Sequence, residues 1–188
     1  FFITPLDMRK RLELAVMVLL CAVFFVPLLV PYKTYIFPFI VPKVLWFRTL
    51  TIAMVALYGL LLSLNYQRYK IRLTPITVAV LAFLASLVLS TITSVDWYRS
   101  FWDGHERMLG LFTLLHYVAF YVVITHTPFG QARWQWITRW FMAGASVVML
   151  VGIQQKIDPT VLLNNGSDRV AGTLGNAIYL GGYGLFLI

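Results

Sequence analysis

Charged residues fall in clusters along this chain, and long uncharged stretches separate them. The stretches cover 14–32, 49–67, 73–95, 108–132 and 170–188, which are 19, 19, 23, 25 and 19 residues long, and a sixth at 140–155 has 16. A helix rises about 1.5 Å per residue, so about 20 mostly apolar residues cross a hydrocarbon core of about 30 Å. The pattern predicts an all-α fold: a polytopic integral membrane protein with about six transmembrane helices in one domain, 1–188. The spans are expected at about 14–31, 44–64, 75–95, 108–127, 138–155 and 177–188. Between them lie a proline-punctuated connector at 32–43, a basic turn with Arg68, Lys70 and Arg72, a mixed-charge loop at 96–107, a connector at 128–139, and a polar loop at 156–176. The chain opens Phe-Phe-Ile and stops within the last apolar run, so it is expected to be the N-terminal portion of a longer protein. The first run is too long, and lacks the small-residue cleavage site, to be a removable signal peptide.

Tryptophan placement supports these boundaries independently. Trp46, Trp97, Trp102, Trp134, Trp136 and Trp140 all fall at expected span ends or in connectors. Indole is amphipathic and its N–H seeks water or head groups, so it collects at membrane interfaces.

Composition excludes other classes. The chain is 60% hydrophobic and 12% charged, with mean hydropathy +0.81. A soluble domain carries about 25% charged residues, so a soluble enzyme and a disordered tail are excluded. Cys21 is the single cysteine, which excludes an intrachain disulfide and a cysteine-rich metal site. The net charge of +8 does not point to nucleic acid, because the basic residues flank spans, where they set orientation and meet anionic lipid. The clusters Arg9-Lys10-Arg11 and 68–72 each abut a span. They favour a cytoplasmic N-terminus, which puts loops 32–43, 96–107 and 156–176 together on the extracytoplasmic face.

Three places carry candidate chemistry. In loop 96–110, Asp103, His105 and Glu106 read first as solvated charges that neutralise one another and second as an acid/base or ligand set. Arg107 stands at the mouth of a span, with Gly110 three residues on, where a guanidinium can hold a diphosphate or anionic head group in a bidentate fashion. The segment 164–184 holds six of the 12 glycines. Its turns can form an anion-binding concavity beside Arg169 and a helix start, or the glycines can simply turn the chain and pack helices closely. His116 lies mid-span, either as a functional group or as a neutral hydrogen-bonding residue. His126 is expected at a span end. Asn165-Gly166-Ser167 forms a glycosylation tripeptide of little weight. No nucleotide-binding loop, hydrolase elbow or zinc-protease motif occurs, and no span interior carries Asp or Glu, which argues against a proton- or sodium-coupled transporter.

The stretch Arg169-Val-Ala-Gly-Thr-Leu-Gly-Asn176, opening a glycine-rich span, resembles the O-antigen ligase/polymerase family of bacterial membrane glycosyltransferases, where the pattern is approximately R-x-x-G-T-x-G-N-P-N. The segment Trp102-Asp-Gly-His-Glu-Arg-Met-Leu-Gly-Leu-Phe-Thr113 is similar to the same family's E-R-x-x-G-L turn before a span. The two quoted segments hold 20 residues, and Ala177-Ile178 depart from the Pro-Asn of the family.

The resemblance implies transfer of a glycan from an undecaprenyl-diphosphate carrier to an acceptor hydroxyl, on lipid A-core, a glycan or a protein. The reaction would take place at the periplasmic face of the bacterial inner membrane, without metal or other cofactor. It implies donor diphosphate binding by Arg169 and Arg107. Gly172, Thr173, Gly175, Asn176, Glu106 and Gly110 would shape the site. The family's catalytic histidine lies in its C-terminal half, so no catalytic residue is assigned here, His105 is not put in its place, and the 188 residues alone are expected to be inactive. The alternative from another class is a lipid-linked-glycan transporter or a non-catalytic membrane subunit.

Overall fold

A run of small and aliphatic residues behind a basic flank forms the first helix, and the flank itself is helical. In a computed structural model, which describes residues 5–31, 37–104, 106–162 and 169–187, α1 runs Pro5–Val23. A short 3₁₀ turn, Val26–Leu28, follows at Pro27. Next come α2 (Val41–Leu64), α3 (Tyr66–Tyr69), α4 (Pro75–Ile92), α5 (Trp97–Trp102), α6 (Leu111–His126), α7 (Gln131–Ile157), a 3₁₀ turn (Gly172–Leu174) and α8 (Ala177–Leu185). The described residues contain helices and no strands.

Four helical segments are long and apolar enough to cross a membrane: Leu6–Leu28, Val41–Leu64, Pro75–Ile92 and Gln131–Ile157. Four of the six expected spans have that length among the described residues, and two do not. α6 has 16 residues and spans about 24 Å, while α8 has nine. The reason for α6 is local. The uncharged stretch 108–132 includes a turn at 108–110, the Thr127-Pro128 stop and the start of α7, so absence of charge overstates helix length. The opposite error occurs at the connector 128–139. Apart from its first residues it is helix, because Gly130 caps α7 and Arg133, Trp134, Trp136 and Arg139 ride on its first turns.

α1 and α2 form an antiparallel pair. Val16, Met17, Leu20 and Cys21 pack with Met54, Tyr58 and Leu61, and Tyr69, Val123, Phe129 and Ile137 complete the core. α7 joins α1 where Gly144 lies against the Phe24 backbone, too close for a Cβ. α6 lies against α2 and α4. α4 buries only Thr77 fully and turns Val78, Leu81, Phe83, Leu89 and Ile92 outward, a face suited to lipid. The alternation of helices gathers residues 24–31, 37–40, 93–104, 106–110, 158–162 and 169–176 at one end, and the start of α1 with residues 65–74 and 127–130 at the other.

Candidate functional site

One wall of the site is the turn before α6. Asp103 takes a left-handed φ of +60°. Its carboxylate accepts the Gly104 N–H at 2.7 Å and the Leu109 N–H at 2.8 Å. Those backbone donors, the Leu109 bond first, hold its carboxyl below the usual carboxylate range, and the positive charges of Arg99 and Arg107 help. Met108 also has positive φ, +52°. Its carbonyl accepts the Thr113 hydroxyl and, at 3.5 Å, the Arg48 guanidinium. Arg48 itself is buried in α2. It donates to the Thr113 hydroxyl and stacks over the Phe112 ring with its carbon 4.9 Å from the centroid. Gly110 is required by close approach, since a Cβ there would meet the Phe101 carbonyl oxygen at 2.4 Å. Turn and cap together present Glu106 and Arg107 on an exposed edge.

The opposing wall is the segment before α8, and Gln155 sutures it to α7. The Gln155 carbonyl oxygen accepts the N–H groups of Ala171 and Gly172 at 2.9 and 2.7 Å. Its amide nitrogen donates to the carbonyls of Val161 and Leu162 at 3.1 and 3.3 Å. Such a fully bonded buried amide fixes loop geometry. Gly175 has φ +73°, and a Cβ there would lie 2.4 Å from the Phe39 ring. Asn176 caps α8, its side-chain oxygen accepting the Ile178 N–H at 2.8 Å. The third wall is the turn 37–40 with the first turn of α2. From it the Lys43 ammonium donates to the Thr173 carbonyl and lies 5.6 Å from the Phe39 ring centroid.

These walls border two adjoining chambers, both open to the surface. The outer one, about 490 Å³, is lined by Glu106, Arg107, Gly175 and Asn176 together with Phe37–Ile40, Leu174 and Tyr179. The one further along α2, called inner for that position, is about 310 Å³; it is lined by Lys43, Val44 and Leu109, and shares Phe39, Ile40, Arg107, Leu174 and Tyr179 with the first. Pockets of this size with a few convergent polar groups are the usual form of ligand sites.

The structure thus brings together Glu106, Arg107, Gly175 and Asn176, which are 68 to 70 positions apart between the two motifs. Gly172 and Thr173 lie buried beneath them, and Gly110 supports the first turn. Arg169 is exposed, three residues before Gly172, and is not among the lining residues of either chamber. His105 and the tripeptide 165–167 lie outside the described residues. His116 is elsewhere: its Nδ1 bonds the Phe112 carbonyl at 2.7 Å, and it lines an apolar groove with Thr51 and Ala119. His126, at the end of α6, is buried against the Val122 carbonyl. Among the described residues no group of three or more His, Cys, Asp or Glu is arranged to hold a metal ion.

Sequence reasoning passed over Lys43, Arg48 and Gln155. Lys43 closes the connector 32–43, where a lysine beside a span is ordinary. A signal was present in Arg48, which falls inside the expected second span, where a charge needs a partner. Gln155 carried no signal beyond its position at a span end. No protein-family model, curated protein or solved structure matches the chain.

Proposed function

We propose that this chain belongs to a membrane glycosyltransferase of the O-antigen ligase type, which moves a glycan from an undecaprenyl-diphosphate carrier to an acceptor hydroxyl at the periplasmic face. The observation that carries the reading is the convergence of both motif segments on one cavity. Glu106-Arg107 and Leu174-Gly175-Asn176 line the same chamber, between aromatic and aliphatic side chains. A guanidinium set among apolar groups suits a lipid whose head is a diphosphate. In this reading α6 and α8 cross the membrane with the four long helices, giving six spans. The N-terminus is cytoplasmic, and the cavity opens on the periplasmic side.

The chemistry asks for charge stabilisation. The acceptor oxygen forms a bond to the anomeric carbon, and the bond to the diphosphate oxygen breaks with its electron pair staying on the diphosphate. The hydroxyl proton passes to a base. Arg107, permanently charged, stabilises the leaving diphosphate, and Arg169, which lines neither chamber, is given the same role by its motif alone. The Gly175–Asn176 turn shapes the opposite wall, and no metal is required.

The test is glycan transfer by the complete protein in proteoliposomes supplied with a lipid-linked glycan and candidate acceptors. Arg107→Ala is expected to lower transfer by about 10²–10³, and Arg169→Ala to abolish it, with membrane insertion retained in both. Near-normal transfer by both variants contradicts the proposal. Absence of transfer by the unaltered protein, with the lipid still bound, points instead to a transporter or a non-catalytic subunit.

A further inference from the structure

Lys43 has an unusual electrostatic position. It lies in the first turn of α2, and among the described residues no carboxylate pairs with it. Its partners are the Thr173 carbonyl and the face of Phe39. A carbonyl dipole and a ring quadrupole orient an ammonium without neutralising it. An ammonium carries three donors, and the Thr173 bond uses one, so two remain for the chamber that Lys43 lines.

The chambers also differ in character. The inner one adds Val44, Leu109 and Lys43 to the shared residues. The outer one adds Glu106 and Asn176. Arg107 belongs to both. Two cations therefore border the apolar inner chamber, while the carboxylate stands at the outer one. An anion is favoured between Lys43 and Arg107 and repelled toward them by Glu106, and an apolar chain is favoured beside Val44, Leu109 and Leu174.

We propose that Lys43 is a second cationic ligand of the site, holding with Arg107 the lipid-proximal phosphate of a polyprenyl carrier whose first isoprenyl units occupy the inner chamber. The outer chamber then receives the remaining phosphate and the sugar, with Glu106 and Asn176 available to accept and donate hydrogen bonds to hydroxyls. This assignment rests on the lipid-linked donor proposed above.

The experiment is a titration of undecaprenyl phosphate into the full chain held in phosphatidylcholine nanodiscs, with undecaprenol as the uncharged probe. Lys43→Met keeps most of the side-chain stem and is expected to weaken undecaprenyl phosphate binding at least about tenfold. Undecaprenol binding should stay unchanged, and Lys43→Arg should recover most of the loss. Lys10→Met, at the other end of the bundle, should bind as the unaltered chain does. Phosphatidylglycerol or inorganic pyrophosphate at equal concentration should not displace the probe. Equal binding by Lys43→Met and the unaltered chain overturns the assignment. So does equal loss of undecaprenol, which would mean packing, or displacement by phosphatidylglycerol, which would mean a general anionic-lipid site. Transfer is scored separately: Lys43-dependent binding without transfer removes the enzyme reading alone, and transfer with unchanged Lys43→Met binding removes this assignment alone.

Discussion

At the end of the bundle where α1 begins, Glu13 is buried and fully engaged. Arg133 reaches it at 2.5 Å, Arg68 lies at 3.7 Å, and the Tyr69 hydroxyl donates to it. Burial and that carboxylate push the Tyr69 phenol up to about 12, so it stays a donor at any ordinary pH, while its own carbonyl accepts the Tyr58 hydroxyl. At the opposite end, Lys43 has a carbonyl and a ring, and Arg107 stands exposed on a turn. The Glu13 cluster pairs its buried carboxylate within the fold and ties α1, α3 and α7 together. Lys43 and Arg107 instead border a cavity. Buried ion clusters of the first kind serve architecture, whereas un-neutralised cations in a concave, partly apolar site select an anionic ligand.

The contrast is broken most severely by removing its acidic member. Glu13→Ala leaves two guanidinium groups and a phenol without their acceptor. Because Arg133 and Arg68 are partly exposed, the cost is discounted from the fully buried case to about 2 kcal/mol. A thermal unfolding series in detergent should show that loss, while lipid binding by the folded fraction persists. Gly175→Ala acts at the cavity instead. It places a Cβ against Phe39 at positive φ, an expected cost of about 1–2 kcal/mol, and should impair undecaprenyl diphosphate binding far more than it shifts unfolding. A variant that binds normally would remove Gly175 from the site's shaping.

The smallest effect concerns Asp103. Its folded carboxyl is held low, so its contribution to the turn is fully present above the ordinary aspartate value of about 3.9 and lost as pH falls through the lowered one. Hydrogen exchange at the Gly104 and Leu109 amides should show protection that fades in acid. Asp103→Asn should show weak protection at every pH, and an unchanged profile would dissociate the carboxylate from the turn.

The helices were legible because their signal is collective. Charge gaps and tryptophans placed α2 and α4 within three residues of where they lie. Boundaries set by single residues were not. The turn at 106–110 depends on the Asp103 carboxylate, positive φ at Met108 and the contact of Gly110 with α5, none of which periodicity encodes. The two motif segments were visible in the sequence, yet that Glu106-Arg107 and Leu174-Gly175-Asn176 line one cavity is a property of how α2, α6 and α8 pack, and Arg169 stands outside it. Lys43 was invisible as a site residue for a related reason. Next to a span, a lysine reads as an orientation signal until the chain that folds over it is known.

The central claim, that the cavity end and not the Glu13 end holds a lipid-linked diphosphate, is tested most directly by native mass spectrometry of undecaprenyl diphosphate binding to the unaltered chain, Arg107→Ala and Lys10→Ala. The account predicts a saturable complex for the unaltered chain and for Lys10→Ala, and its loss in Arg107→Ala without a change in unfolding temperature. Binding by Arg107→Ala as tight as that of the unaltered chain would contradict it.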